Sequence, residues 1–504
     1  MSAPLQPIVS PHSDPLSVEV ISQLQRELAY AQLKIQLLEE CLRQMRIAKY
    51  GKASEKLSDL QLDLLEVEPG VSREEVVAES EREPLAESAP AIDNGCASPR
   101  QRDKKKHPGR QTLPAYLTRV EKIIACTPDQ CICGGCGKEN AVIGYEESEV
   151  LDVKPAEYFV RVTKREKRAC KRCEEFGVAV ASLPESIIPK SLVSDQIIID
   201  AVVAKYCNSL PLYRQSAILK RDTGLDIGRS TMDGWVMQVG ELLTPIARVM
   251  RMELLNGNYI QADETPVDVQ AHDKRGCNHQ AYLWQYGSPG RSVVFDFRMG
   301  REREGPKKFL GQFNGILQTD GYAAYENGIG GPTMAHACCL AHARRKYIDA
   351  IKVDPRDKDS ASIVALMDEL FAIDAEARAA KMNHAERYAL RMERAPALVA
   401  ELRKQILAAQ SKALPQSAAD KAARYTLALW KKLTLFLEYP ELELSNNLAE
   451  NSMRPVAIGR KNWVHLGSKQ AGPKVAAIFS IVESCRRLGL PIREYLAAVL
   501  PAVP

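Results

Sequence analysis

The sequence predicts a multidomain chain, α/β in its middle and helical on both sides. Three observations carry this. Three strand-like runs follow one another at 258–299, a helix intervenes, and two further strand-like runs follow. Two Cys-x-x-C pairs stand ahead of them, and a heptad seam stands ahead of the cysteines. The 504 residues allow several domains, and a formal charge of only +4 means that any nucleic-acid surface must be local. No apolar run approaches the roughly 20 residues that span a bilayer, and the first residues lack the basic-then-apolar order of a leader. A cytoplasmic protein is expected.

The first element is a helix at 17–49, where Ile21, Leu24, Leu28, Ala31, Ile35, Leu38, Leu42 and Met45 recur in alternating steps of three and four. This is an a/d seam, and it predicts a self-pairing coiled coil; docking on the chain's own surface is the rival reading. With the basic patch "KYGKASEKL" the segment runs to 60. Residues 61–105 read as a disordered linker, first acidic and aromatic-poor, then basic in "RQRDKKKHPGR".

Residues 106–190 hold Cys133/Cys136 and Cys170/Cys173, the inner cysteines standing 34 positions apart. Such pairs suit a tetrahedral thiolate site for one structural Zn²⁺ in a zinc ribbon, redox cysteines being the lesser alternative. Cys41, Cys207 and Cys485 are expected to be buried free thiols. Residues 191–250 read as helices resembling a helix-turn-helix, with a break at Gly224 and Ser230/Thr231 capping a helix that carries Trp235.

Strands are then predicted in "NYIQADETPVDV", "AYLWQYG" and "RSVVFDFRM", followed by a helix near 301–312 and the strand "GILQTD". A helix is expected to start after Gly321, and the strand "TMAHACCL" runs into the basic helix "AHARRKYIDAI". This order is that of a ribonuclease-H-like sheet, assigned to 255–460, with 356–436 as a helical insertion and 461–504 as a helical tail. In such a sheet the first and fourth strands are neighbours, so an acid of the first (Asp263 or Glu264) meets Asp320 at the end of the fourth. Glu450 on a late helix can cover the same spot. Three crowded carboxylates repel unless cations lie between them, and oxygen-only ligands favour Mg²⁺ or Mn²⁺. Two such ions suit phosphodiester chemistry. Arg344, Arg345 and Lys346, with Arg460, Lys461 and Trp463, are candidate DNA contacts; solvated surface charge is the competing account.

At "ADETPV", "LQTDGYAAY", "CLAHARRKY" and "NNLAENSMRPVAIGRKNW" the chain closely resembles the transposases of the insertion-sequence-66 family. The resemblance extends almost end to end. It implies a DDE-type transposase whose metal-binding acids are Asp263, Asp320 and Glu450, which selects Asp263 over Glu264. It further implies terminal-inverted-repeat and target DNA as substrates, two accessory proteins of the same element, and action at the bacterial nucleoid. Departures are Asn451 after Ala-Glu, leaving Arg454 as the nearest basic residue, and Leu340 in place of Trp between Cys339 and His342. That Cys-x-x-His pair reads as a support joining the fifth strand to the following helix.

Overall fold

The computed structural model describes residues 15–50, selected positions within 119–169, and 178–502 save 271–276 and 327. Residues 84–182 form one unit and the rest of the chain another. In the smaller unit, β1 (Lys167–Ala169) pairs antiparallel with β2 (Val178–Val180), Arg168 opposite Ala179. The linker at 61–105 and all four zinc-candidate cysteines lie outside the described residues.

The larger unit opens with α1 (Pro15–Tyr50). Leu24, Leu28, Ile35, Leu38, Leu42 and Met45 along it are all 55–67% exposed, so the heptad seam is open. A polar flank of the same helix docks instead: Ala418 N donates to Glu40 Oε1 (3.3 Å) and Lys421 Nζ to Gln44 Oε1 (3.1 Å).

Three helices follow, α2 (Asp195–Tyr206), α3 (Leu212–Thr223) and α4 (Arg229–Leu255). Gly224 ends α3 at φ +77°, the left-handed conformation in which glycine closes a helix at no steric cost. The cap of α4 departs from expectation. Gly228 holds the capping position, no side chain caps the helix, and Ser230 and Thr231 fall within its first turn. Trp235, Val236, Val239 and Leu243 face inward from α4. They pack along α12 (Ala471–Arg487), which lies on the sheet, so this helix is built into the core of its unit.

The sheet comprises β3 (Tyr259–Val269), β4 (His279–Gly287), β5 (Val293–Arg298), β6 (Ile316–Thr319) and β7 (Ala335–Cys338), in the order β5-β4-β3-β6-β7, with the short β8 (His465–Leu466) parallel to the end of β3. β3, β4 and β5 are an antiparallel meander; β6 and β7 run parallel to β3. Both faces are covered. Neighbours on a strand point to opposite sides, so Leu283 enters the core under α2, α4 and α12, while Trp284 enters the core with Phe309 of α5 (Glu304–Leu310). Edge strand β5 is closed by serines of α12: Val293 N donates to Ser484 Oγ (2.9 Å) and Phe295 N to Ser480 Oγ (2.8 Å).

Between β6 and β7 the expected helix is replaced by a 3₁₀ turn, Ala323–Tyr325. Gly321 turns the chain at φ +89°, and a Cβ there would stand 2.6 Å from Leu429 Cδ1. After β7 come α6 (Leu340–Val353), α7 (Lys358–Ala379), α8 (His384–Lys412), α9 (Ala418–Ala428) and the single turn α10 (Trp430–Leu433), sharing a core with β7. α11 (Asn447–Trp463) then crosses β3, and α12 and α13 (Ile492–Val499) complete the unit. Among the described residues no helix is long and apolar enough to cross a membrane. Of the three cysteines expected to be buried, Cys485 is. Cys41 and Cys207 are exposed, the first on the open surface of α1 and the second at the end of α2 where the chain leaves the core.

Candidate active site

The parallel register of β3 and β6 decides which side chains meet. Tyr259 pairs with Ile316 and Gln261 with Gln318. Two residues further along each strand stand Asp263 and Asp320, at matching heights on adjacent strands. Asp320 lies one residue beyond β6, where its Oδ1 accepts from Tyr322 N (2.8 Å) and its carbonyl from Tyr425 Oη of α9 (2.5 Å).

Glu450, in the first turn of α11, is brought over these acids by a buried polar tie. Asn446 N donates to Cys339 Sγ (3.1 Å) and Asn446 Nδ2 to the Ala262 carbonyl (3.1 Å). Gln261 Nε2 donates to Ser445 O (3.0 Å) and Gln318 Nε2 to Glu443 O (2.7 Å). The segment before α11 is thereby pinned to both acid-bearing strands and to the start of α6. From behind, a buried ionic cluster holds the same segment. Asp374 binds Arg387 and Arg391, Arg387 binds Glu443 (2.9 Å), and Arg391 donates to the carbonyls of Phe436 (2.9 Å) and Leu442 (2.7 Å).

Asp263 is held well above the usual carboxylate range by burial and by the fields of Glu450, Glu264 and Asp320. Glu450, 31% exposed, leans toward α6: Oε1 is 3.4 Å from His342 Nε2 and Oε2 3.6 Å from Arg345 Nη2. Burial opposes protonation of His342, but Cys339 and Glu450 outweigh it and push the imidazole up to about 9. As they stand, no three His, Cys, Asp or Glu side chains among the described residues enclose a metal ion. The donors nevertheless fit a hard divalent cation. All three are carboxylates, Asp263 is destabilised by its neighbours' charge, and Glu450 Oε1 is buried without a hydrogen bond.

The remaining candidates divide. Cys339 is buried at the junction of β7 and α6, where its side chain bonds His342 of α6, and it also accepts from Asn446 N at the start of α11. Arg454, half-buried, stands one helical turn beyond Glu450 on α11. Arg344 is buried and paired with Asp368 at 2.5 Å, so it braces the helices and is not offered to DNA. Arg345 faces Glu450, while Lys346 is exposed and lies over the Tyr425 ring at 4.5 Å. Arg460 Nη1 donates to Thr265 Oγ1 (3.0 Å), turning inward to β3; Lys461 is exposed. The Trp463 indole folds back over Gly459, its Nε1 buried without a partner.

Sequence reasoning treated Glu264 only as the alternative to Asp263. In the fold Glu264 is an anchor. Its side chain is 2% exposed, accepting from Arg301 Nη2 (2.6 Å) and Tyr325 Oη (2.9 Å). The Arg301 guanidinium in turn lies 3.7 Å from the centre of the Tyr322 ring. The sequence carries no signal for this set, because Arg301 sits in a loop after β5.

A family model described as "Transposase IS66 family" matches residues 190–474, the span that holds all three acids. The chain belongs to the IS66 transposase family. A model for the zinc-finger binding domain of transposase IS66 matches 130–174, which contains both Cys-x-x-C pairs, and one described as "Transposase C of IS166 homeodomain" matches 37–121. Among similar proteins of Sinorhizobium fredii, the uncharacterized protein y4qI is 32% identical over 410 residues, covering 78% of this chain and 74% of the relative. The uncharacterized protein y4jD is 30% identical over 405 residues, covering 78% of each, and y4hP is 27% identical over 489 residues. An IS66 transposase with a zinc-binding module is therefore the frame for the chemistry.

Proposed function

We propose that this IS66 transposase is a DDE-type polynucleotidyl transferase, cutting DNA at the terminal inverted repeats of its element and joining the ends to target DNA. The observation that carries the reading is the parallel register of β3 and β6, which sets Asp263 beside Asp320 with Glu450 above them. The strand order β5-β4-β3-β6-β7 supports a ribonuclease-H-like domain spanning 255–460, with 356–436 inserted as helices and 461–504 as the tail.

Two Mg²⁺ or Mn²⁺ ions bound there would activate the attacking oxygen and stabilise the leaving one. Asp263 and Asp320 are the residues that would hold them from below and Glu450 from above. His342 and Arg345 neutralise Glu450 and hold it on the α6 side of the site. Lys346 and Lys461 supply exposed positive charge for phosphates.

Cys133, Cys136, Cys170 and Cys173 hold one structural zinc in the 106–190 module; metal analysis should find about one zinc per chain, lost in Cys170→Ser. The open seam of α1 pairs copies of the chain through 17–60. Accessory proteins of the same element and action at the bacterial nucleoid, in the cytoplasm, complete the proposal.

The test is a strand-transfer assay with pre-cleaved element ends and Mg²⁺. Joined product, absent with Asp320→Asn although that variant still binds DNA, is the expected result. Cleavage without joining would indicate a metal-dependent nuclease. Activity unchanged by Asp320→Asn would indicate a non-enzymatic, zinc-dependent DNA-binding regulator.

A further inference from the structure

Asp263 is held within a strand, but Asp320 stands on a turn. Its backbone is followed by Gly321 at φ +89° and a single 3₁₀ turn. Two carboxylates that share cations must nevertheless keep their spacing to within about half an ångström. Tyr425 holds the Asp320 carbonyl from one side, and a closed circuit of contacts ties the Asp320 side chain to β3.

Asp263 Oδ1 accepts from Glu264 N (2.9 Å). Glu264 Oε1 accepts from Arg301 Nε (3.0 Å) and Nη2 (2.6 Å). The Arg301 guanidinium carbon lies 3.7 Å from the centre of the Tyr322 ring, and Tyr322 Oη donates back to the Arg301 carbonyl (3.2 Å). Tyr322 N then donates to Asp320 Oδ1 (2.8 Å). The circuit runs from one acid to the other without a gap.

Each link has a reason to be stiff. Glu264 is buried, and a carboxylate there is strongly disfavoured without a cationic partner, so it holds Arg301 firmly. Arg301 is 42% exposed, and its position is set by the carboxylate on one edge and by aromatic faces, Tyr322 near and Tyr282 farther at 5.8 Å. A guanidinium held by a carboxylate and an aromatic ring together is a directional brace, which a lysine ammonium would not reproduce.

We propose that Arg301 is a positioning residue of the candidate active site, setting through Glu264 and Tyr322 the spacing of Asp263 and Asp320 and hence the affinity for the divalent cations. The inference rests on the assignment of those two acids as the cation ligands.

The test is Mn²⁺ binding by the full-length protein without DNA, followed by electron paramagnetic resonance, with the thermal midpoint recorded for each variant. Arg301→Ala should weaken Mn²⁺ binding tenfold or more while the midpoint moves little, and Arg301→Lys should not restore it. Should Arg301→Ala unfold, the Tyr322 pair decides. Tyr322→Phe keeps the aromatic ring and should bind within twofold of wild type, whereas Tyr322→Ala should lose tenfold or more. Mn²⁺ affinity within twofold of wild type in Arg301→Ala or in Tyr322→Ala overturns the proposal, provided Asp320→Asn abolishes binding. Wild-type Mn²⁺ binding that survives Asp320→Asn would instead remove the assignment of the acids, and the positioning role with it.

Discussion

His342 and Glu450 face each other across the candidate active site, imidazole Nε2 to carboxylate Oε1 at 3.4 Å, each from a different helix. Glu450 thus has His342 and, at 3.6 Å, Arg345 on its α6 side. Replacing it with Gln should leave fold and DNA binding intact and reduce strand cleavage by roughly a thousandfold or more, about 4 kcal/mol of barrier. Asp263→Asn should do the same to cleavage, yet without divalent cations it should raise the thermal midpoint. The reason is that the native carboxylate is buried among like charges. A thermal midpoint for Asp263→Asn below wild type in chelator would contradict that reading.

His336 predicts a dependence of stability on pH. Burial, aided by the charge of Lys432, pushes its imidazole down to about 4, and its Nε2 lies 2.9 Å from Thr319 Oγ1. The unfolded chain takes up this proton near pH 6.5, the folded chain only near 4. Stability from this residue is therefore complete above 6.5 and falls as the pH drops from 6.5 to 4, by up to about 3 kcal/mol. Urea unfolding across that range should be less steeply pH-dependent in His336→Gln, and equal slopes would refute the assignment.

The Asp374 cluster is a stability element with a consequence at a distance. Removing the carboxylate strands Arg387 and Arg391, both buried, so Asp374→Ala should cost about 3–5 kcal/mol in chemical denaturation. Since these arginines also hold the 436–443 segment, a milder Asp374→Asn should lower cleavage more than DNA binding.

For α1, the expectation concerns mass in solution. Ile35→Asp together with Leu38→Asp places charge on an exposed seam, leaving the contacts of Glu40 and Gln44 untouched. Light scattering should show wild type as a dimer or larger and the double variant as smaller, with an unchanged thermal midpoint. Identical masses would remove the pairing role.

The strands were legible as short apolar and aromatic runs bounded by turn residues, because both faces of the sheet are buried. Leu283 and Trp284, adjacent and pointing into separate cores, show why such a run is apolar at every step. The helix expected after Gly321 was not there, because a glycine with positive φ and the Asp320 side chain's bond to Tyr322 N favour a tight turn. Arg344 looked like a DNA contact because charge reads as surface, yet Asp368, 24 residues away, draws it inward.

By itself, then, the sequence determined the element types and which acids stand at strand ends and helix starts, since those follow from local periodicity and turn chemistry. Only the tertiary structure decided that Glu450 sits over Asp263. That placement depends on Asn446, Gln261 and Gln318 finding buried partners far away in the chain. The Arg301 circuit is of the same kind: its members come from three separate stretches, and long-range hydrogen bonds leave no periodic trace in a sequence.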